Sequence, residues 1–298
     1  MSNNWQNQKE ATNAFWLKAL YFCAFFFGRN LIRFALYFIA IFYCCFSTNA
    51  RKYSALTYTK ITGKKATWLN CYLNFLTFAQ VSVDRLFFLS GKHHNIPVNI
   101  QTPDIFNEVK IGQGCILLVS HVGSFDVLRV LAEKNKLKPI HILMDTNHNP
   151  EAFKLIQHLN PMMASQIIDS NQSPATLALT LQNKIRQGHM IGIMADRIHH
   201  NEASVKVDFF EQKAAFPSSP WSLAAVLKIP VIVCIGLLNK KLAYDVYFHL
   251  LTKKIPSKRK ERQQSIQLLV QSYANLLAYF LRDNPYNWFN FYDFWDDE

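Results

Sequence analysis

From residue 115 onward, short apolar runs alternate with helix-like stretches, and this alternation limits the fold more than any other feature of the chain. The runs at 115–120, 139–144, 165–169, 190–195, 230–237 and 243–250 are rich in branched apolar residues and have the length of strands. Between them, 124–134, 150–159, 173–187 and 218–228 repeat their apolar residues at helical spacing. Ser173 followed by Pro174, and Ser219 followed by Pro220, are N-cap and first-turn signals, and Gly188 suits a helix end. Strands alternating with helices predict an α/β domain with a mostly parallel central sheet and helices on both faces. Before it, 67–89 reads as a helix and 92–114 as a polar loop with Pro97, Pro103, Gly112 and Gly114; after it, 257–282 reads as a basic helix. In such sheets ligands bind beyond the carboxyl ends of the strands. His121 follows one strand-like run, and Asp196-Arg197 follows another.

Residues 15–46 are nearly all aromatic or aliphatic, interrupted by Lys18, Arg29 and Arg33. A membrane-crossing helix needs roughly 20 apolar residues. The uninterrupted stretch 34–46 is too short alone, and a helix over 19–46 is long enough but contains both arginines. Arg29 and Arg33 are four apart and share one helical face, which either reaches headgroups or docks on the protein. The segment therefore either spans once or enters one leaflet as an interfacial helix. It is too long for a signal peptide, and no small-residue cleavage site follows it. Arg51, Lys52, Lys60, Lys64 and Lys65 come next, which places the following chain on the cytoplasmic side. The expected division is a hydrophobic membrane-associated helical segment with its basic flank over 1–66, then an α/β domain over 67–298.

Half of the 298 residues are hydrophobic, 24 are Phe and only 17% are charged, against about 25% for ordinary soluble chains. Apolar surface is thus left over once a core is filled. The net charge of +12 suits nucleic acid, anionic lipid or an acidic protein. Because the aromatics cluster in apolar runs and do not interleave with Arg and Lys, a lipid partner is expected and nucleic acid is not. The six cysteines show no metal spacing and read as small buried hydrophobes in a reducing compartment. His93-His94 and His199-His200 lack companion ligands, so no metal site is expected.

In Ser120-His121-Val122-Gly123-Ser124-Phe125-Asp126 an apolar run ends in an imidazole, and a carboxylate follows five positions later. A neutral imidazole oriented by a carboxylate accepts a proton from a hydroxyl at neutral pH. Gly123 permits a tight turn that would return Asp126 towards the ring. The bland alternative is a locally bonded His and an Asp favoured by the start of a helix. Ser124 has no GxSxG flanks, so no nucleophile elbow is signalled. Asp196-Arg197 is either a simple ion pair or an anion-binding guanidinium held by its neighbour. Residues 209–217, with Phe209 and Phe210, read as a loop entering a helix on core aromatics. The cluster Lys253, Lys254, Lys258, Arg259, Lys260 and Arg262 is either a solvated face or a surface for an acidic carrier protein or anionic lipid.

Together these segments resemble the lysophospholipid acyltransferase superfamily, in particular its bacterial lipid A late acyltransferase branch, over about residues 15–295. His121 and Asp126 match its His-x4-Asp/Glu motif. Ala195-Asp196-Arg197 is similar to its second block, and Phe209-Phe210 with Ala215-Phe216-Pro217 and Pro220 to its third. Ile229-Pro230-Val231 and the ending Asn287-Trp288-Phe289-Asn290-Phe291-Tyr292-Asp293-Phe294-Trp295 also resemble family segments. Glu211 departs from the family's Gly, and Ser219 from a Gly before Pro.

The resemblance implies a membrane-associated O-acyltransferase of the bacterial inner membrane, its catalytic domain facing the cytoplasm. It implies transfer from acyl carrier protein or acyl-CoA to a lipid hydroxyl, with no further cofactor. His121 is then the general base, oriented by Asp126, while Asp196, Arg197, Ser124, Phe125, Arg129, Phe209 and Phe210 meet the substrate. A thioester or ester hydrolase, and a non-catalytic membrane-binding protein, stay open as alternatives.

Overall fold

A computed structural model describes residues 14–102, 114–134, 138–147, 150–198, 202–256 and 258–295; the side chains of 14–22, 24, 129, 132–134, 151, 152 and 155 lie outside that description. The helices are α1 (Ala14–Phe46), α2 (Thr48–Thr62), α3 (Trp68–Leu89), α4 (Val127–Lys134), α5 (Pro150–Leu159), α6 (Pro161–Ala164), α7 (Pro174–Arg186), α8 (Ser219–Leu227) and α9 (Arg259–Asp283). The main sheet holds β1 (Val98–Ile100), β2 (Cys115–Val119), β3 (Ile140–Met144), β4 (Ile167–Asp169), β5 (Met190–Met194), β8 (Val231–Leu238) and β9 (Tyr244–Thr252). Its strand order is β1-β9-β8-β2-β5-β3-β4. β8, β2, β5, β3 and β4 run parallel, while β9 is antiparallel to β8 and carries β1 with it. The expected α/β architecture is thus present, with the direction reversed at one edge.

β2 sits in the middle because it is buried on both faces. Ile116 and Leu118 face a layer containing Trp221 of α8 and Tyr273 of α9. Cys115, Leu117 and Val119 face the opposite layer, built by α1, α3 and α4. Burying a Leu or Ile fully contributes about 1.5–3 kcal/mol, so this strand is a strong anchor for the loop it delivers.

Three elements differ from expectation. The polar stretch before residue 115 contributes β1, pairing parallel with β9, and its residues 103–113 lie outside the described structure. The basic flank after α1 forms α2, capped by Gly63. The stretch expected as a loop over 209–217 belongs to a hairpin, β6 (Ser204–Phe209) and β7 (Gln212–Pro217), turned through Phe210 (φ 51°) and Glu211 (φ 63°). That turn puts two side chains in the left-handed region, where Gly or Asn is the usual choice, so the sequence did not advertise it. The six cysteines are free; Cys44, Cys71, Cys115 and Cys234 are buried as expected, whereas Cys45 is exposed.

Candidate active site

The register of the central strands brings two distant residues together. Val119 of β2 pairs with Met194 of β5, and the Ala195 N–H donates to the Val119 carbonyl at 2.9 Å. His121 and Asp196 each follow two residues later at adjacent carboxyl ends. The His121 backbone N–H donates to Asp196 Oδ2 at 2.9 Å, and its ring Nδ1 lies 3.0 Å from Oδ1 and 3.2 Å from Oδ2. A carboxylate only accepts, so Nδ1 carries the proton and Nε2 is left with its lone pair. The Asp196 side chain is 1% exposed and that of His121 28%. The pair is therefore dry on the Asp196 side and open on the ring side.

Asp126, expected to orient the imidazole, is placed elsewhere. It precedes α4, and its Oδ2 lies 3.4 Å from Nε of Arg85 on α3. The Arg85 guanidinium rests over the Phe125 ring, 5.2 Å from its centroid. Strand order decides between the two acids: β5 lies beside β2, so Asp196, far away in sequence, reaches Nδ1.

Two contacts shape the loop between them. Gly123 has φ +64°, and a Cβ there would stand 1.9 Å from the Gly236 carbonyl oxygen of β8. Only glycine lets the loop approach β8 so closely, and the Ser124 N–H donates to that same oxygen at 2.8 Å. The C-terminal segment straps the other side. The Gly123 N–H donates to the Asn287 carbonyl at 2.7 Å, Val122 bridges Trp288, and the Phe289 N–H donates to the His121 carbonyl at 3.1 Å. Asn287 is itself bonded to the Leu238 backbone in both directions.

Arg197 donates Nη2 to the Phe289 carbonyl at 2.9 Å and lies over the Tyr292 ring, 5.5 Å from its centroid. Ser124 is buried, and its Oγ has no hydrogen-bond partner among the described residues. Phe209 packs on Trp288 with ring centroids 5.5 Å apart, while its carbonyl accepts from Trp295 Nε1 at 3.0 Å. Phe210 is buried beside it. Phe209 thus supports the strap, and Phe210 backs Phe209. Arg129 lies on α4, and its side chain falls outside the described structure, as do His199 and His200. Sequence reasoning missed Arg85 and Gly236, and it singled out the strap segment only as a family resemblance, without a structural role. Asp84-Arg85 inside an otherwise apolar helical stretch was the available signal, because charges there require partners.

Electrostatics keep the ring neutral. Burial pushes the His121 pKa below its ordinary value, and Arg197 and Arg85 push the same way, outweighing Asp196. Burial alone would raise the Asp196 carboxyl, but the His121 ring, its hydrogen bonds and Arg197 hold it below the usual carboxylate range. A neutral imidazole, oriented by an ionised carboxylate and flanked by two guanidinium groups, is fitted to take a proton from a hydroxyl while negative charge develops nearby. Among the described residues no group of three His, Cys, Asp or Glu is placed to hold a metal ion.

Among curated proteins no relative matches the chain. Residues 71–296, which carry the sheet, both ends of the His121–Asp196 pair and the strap, match the family described as bacterial lipid A biosynthesis acyltransferase. The chain belongs to that family and is a lipid acyltransferase.

Proposed function

We propose that the protein transfers a fatty acyl group from an acyl thioester, carried by acyl carrier protein or coenzyme A, to a hydroxyl of a lipid or glycolipid acceptor, with His121 as general base. The observation that carries this is the hydrogen bonding of both Asp196 oxygens to His121, which leaves Nε2 as the free basic nitrogen. The acceptor hydroxyl gives its proton to Nε2 while its oxygen bonds to the thioester carbon. The carbonyl pair moves onto oxygen and returns as the C–S bond breaks. The departing sulfur takes the proton from the imidazolium, so an ester and a free thiol leave. Asp196 stabilises the transient imidazolium, and Arg197 and Arg85 favour the oxyanion. Asp126 acts through Arg85, whose guanidinium it neighbours. This replaces the expected role of Asp126 on the ring itself.

The lipid acceptor suits an apolar outer face on α1, which we place against the bacterial inner membrane with the catalytic domain on the cytoplasmic side. Among the described residues Phe25–Phe46 is the one helical stretch long and apolar enough to cross a membrane. The basic cluster around the start of α9 suits an acidic carrier protein.

The test supplies purified full-length protein with an isotope-labelled acyl thioester and an extract of bacterial membrane lipid, and follows products by mass spectrometry. A lipid heavier by one labelled acyl group supports transfer. Labelled free fatty acid as the sole product would make the protein a hydrolase and refute it.

A further inference from the structure

We infer that α1 lies along the membrane surface, with its outer face sunk in one leaflet, and does not cross the bilayer. The inference rests on the membrane association proposed for α1 and adds the geometry.

The inner face of α1 is docked from Phe25 to Cys44. Ile32, Leu36, Ala40 and Cys44, four residues apart, are buried in the layer that covers the sheet. Phe25 meets Phe87 near one end of α3, and Tyr43 meets Phe75 towards the other, both at 5.2 Å between ring centroids. α1 and α3 are therefore antiparallel neighbours over this stretch. α3 is in turn fixed to the sheet, since Phe88 packs on Tyr244 of β9.

Charge fixes the docking. Arg29 donates Nε to Asp84 Oδ1 at 2.8 Å and Nη2 to the Leu242 carbonyl at 3.0 Å. Arg33 pairs with Oδ2 of the same carboxylate, to which the Tyr244 hydroxyl donates at 2.9 Å. Asp84 is 0% exposed. The arginines that interrupt the apolar stretch thus face the protein. A spanning α1 would either pull Asp84 and the edge of the sheet into hydrocarbon or strip this carboxylate of both cations, and each is costly.

Length argues the same way. Gly28 (φ 77°, ψ 165°) breaks the helix inside α1. The part before it, 14–27, is about 21 Å long and the part after it, 29–46, about 27 Å, at about 1.5 Å per residue. The first part is too short for the roughly 30 Å hydrocarbon core, and the second sits at the lower end of the about 17–25 residues a span needs. The kink thus leaves little margin for crossing, even though Phe25–Phe46 as a whole has the overall length and apolarity.

The outer face is what a leaflet requires. Leu31, Phe34, Phe38, Phe42 and Phe46 are 53–70% exposed. Trp68 at the start of α3 is also exposed and is preceded in sequence by Lys64 and Lys65. Aromatic and basic residues at that point suit the headgroup region. In an ordinary interfacial helix the polar face meets water; here the catalytic domain covers that side.

The experiment uses the full chain with one epitope tag at each end, in right-side-out and inside-out bacterial membrane vesicles treated with protease. Surface attachment predicts that the protein sediments with the vesicles and that both tags are cut from the same side. Tags cut from opposite sides would overturn the in-plane geometry while leaving membrane association standing. A wild-type protein that stays soluble would overturn membrane association itself. In a second arm, Phe34→Asp with Phe38→Asp lowers the vesicle-bound fraction by at least about tenfold with an unchanged circular dichroism spectrum; an unchanged bound fraction would remove this face from the membrane contact.

Discussion

Replacing Asp196 by asparagine keeps the side chain's shape and removes one charge, and the hydrogen-bond geometry sets the consequence. Oδ2 accepts from the His121 backbone N–H at 2.9 Å, a donor that cannot be reversed. The amide oxygen of asparagine must therefore take that position, which turns its NH2 towards ring Nδ1, now 3.0 Å from Oδ1. Two donors cannot face each other, so Nδ1 becomes the acceptor and the ring proton moves to Nε2. The base then points its lone pair at the protein and a proton at the substrate. A wrong tautomer of this kind costs about 10⁴-fold in a serine-protease triad. Here the expected fall in kcat is about 10³–10⁴-fold, or about 4–5.5 kcal/mol at about 1.36 kcal/mol per decade. The assay is steady-state transfer of a labelled acyl group, with melting temperature as the check on folding. Asp126→Asn, which acts one residue further away through Arg85, is expected to cost only about tenfold, since it shifts a charge near the ring without changing the tautomer. A folded Asp196→Asn enzyme within tenfold of wild type, beside a far weaker Asp126→Asn, would refute the pairing.

Three other outcomes are expected from the same geometry. His121 titrates below the ordinary value of about 6.5, so the neutral base persists into mildly acidic solution and the acid limb of kcat/KM lies below about pH 6.5. Arg197→Gln removes a positive neighbour, lets the imidazole pKa rise and moves that limb to higher pH; a limb that stays put or moves down contradicts the electrostatics. Gly123→Ala forces a Cβ against the Gly236 oxygen at a backbone angle that L side chains disfavour. It should cost at least about 3 kcal/mol, seen as a melting temperature lower by about 6 °C or more, and a shift under about 2 °C would show that the loop gives way. Glu211→Gly relieves a left-handed side chain in the β6–β7 turn and should stabilise by about 0.5–1 kcal/mol, measured by denaturant midpoint; a lower midpoint would mean that Glu211 makes a compensating contact.

How much of this was legible depended on whether the determinant was local. Alternating apolar runs and capping residues are local, and they located β2, β3, β4, β5, β8 and β9 and the helices between them. His121 at a strand end and Asp196 at another were visible for the same reason. Which carboxylate meets the ring was not visible, because it depends on strand order. The chain leaves β2, builds β3 and β4, and only then inserts β5 between β2 and β3. Nearness in sequence favoured Asp126, and topology delivered Asp196. Arg29 and Arg33 were ambiguous for a related reason: their partner, Asp84, sits on another helix. The hairpin at Phe210-Glu211 carried no Gly or Asn to announce it. The strap at Asn287–Phe289 works largely through backbone groups, which a sequence pattern does not display.

The most direct test of the central claim is single-turnover acyl transfer by full-length His121→Ala. The prediction is a loss of about 10²–10⁴-fold in the transfer rate, with the melting temperature and vesicle binding of the wild type. A folded variant that still transfers at close to the wild-type rate would contradict His121 as the base.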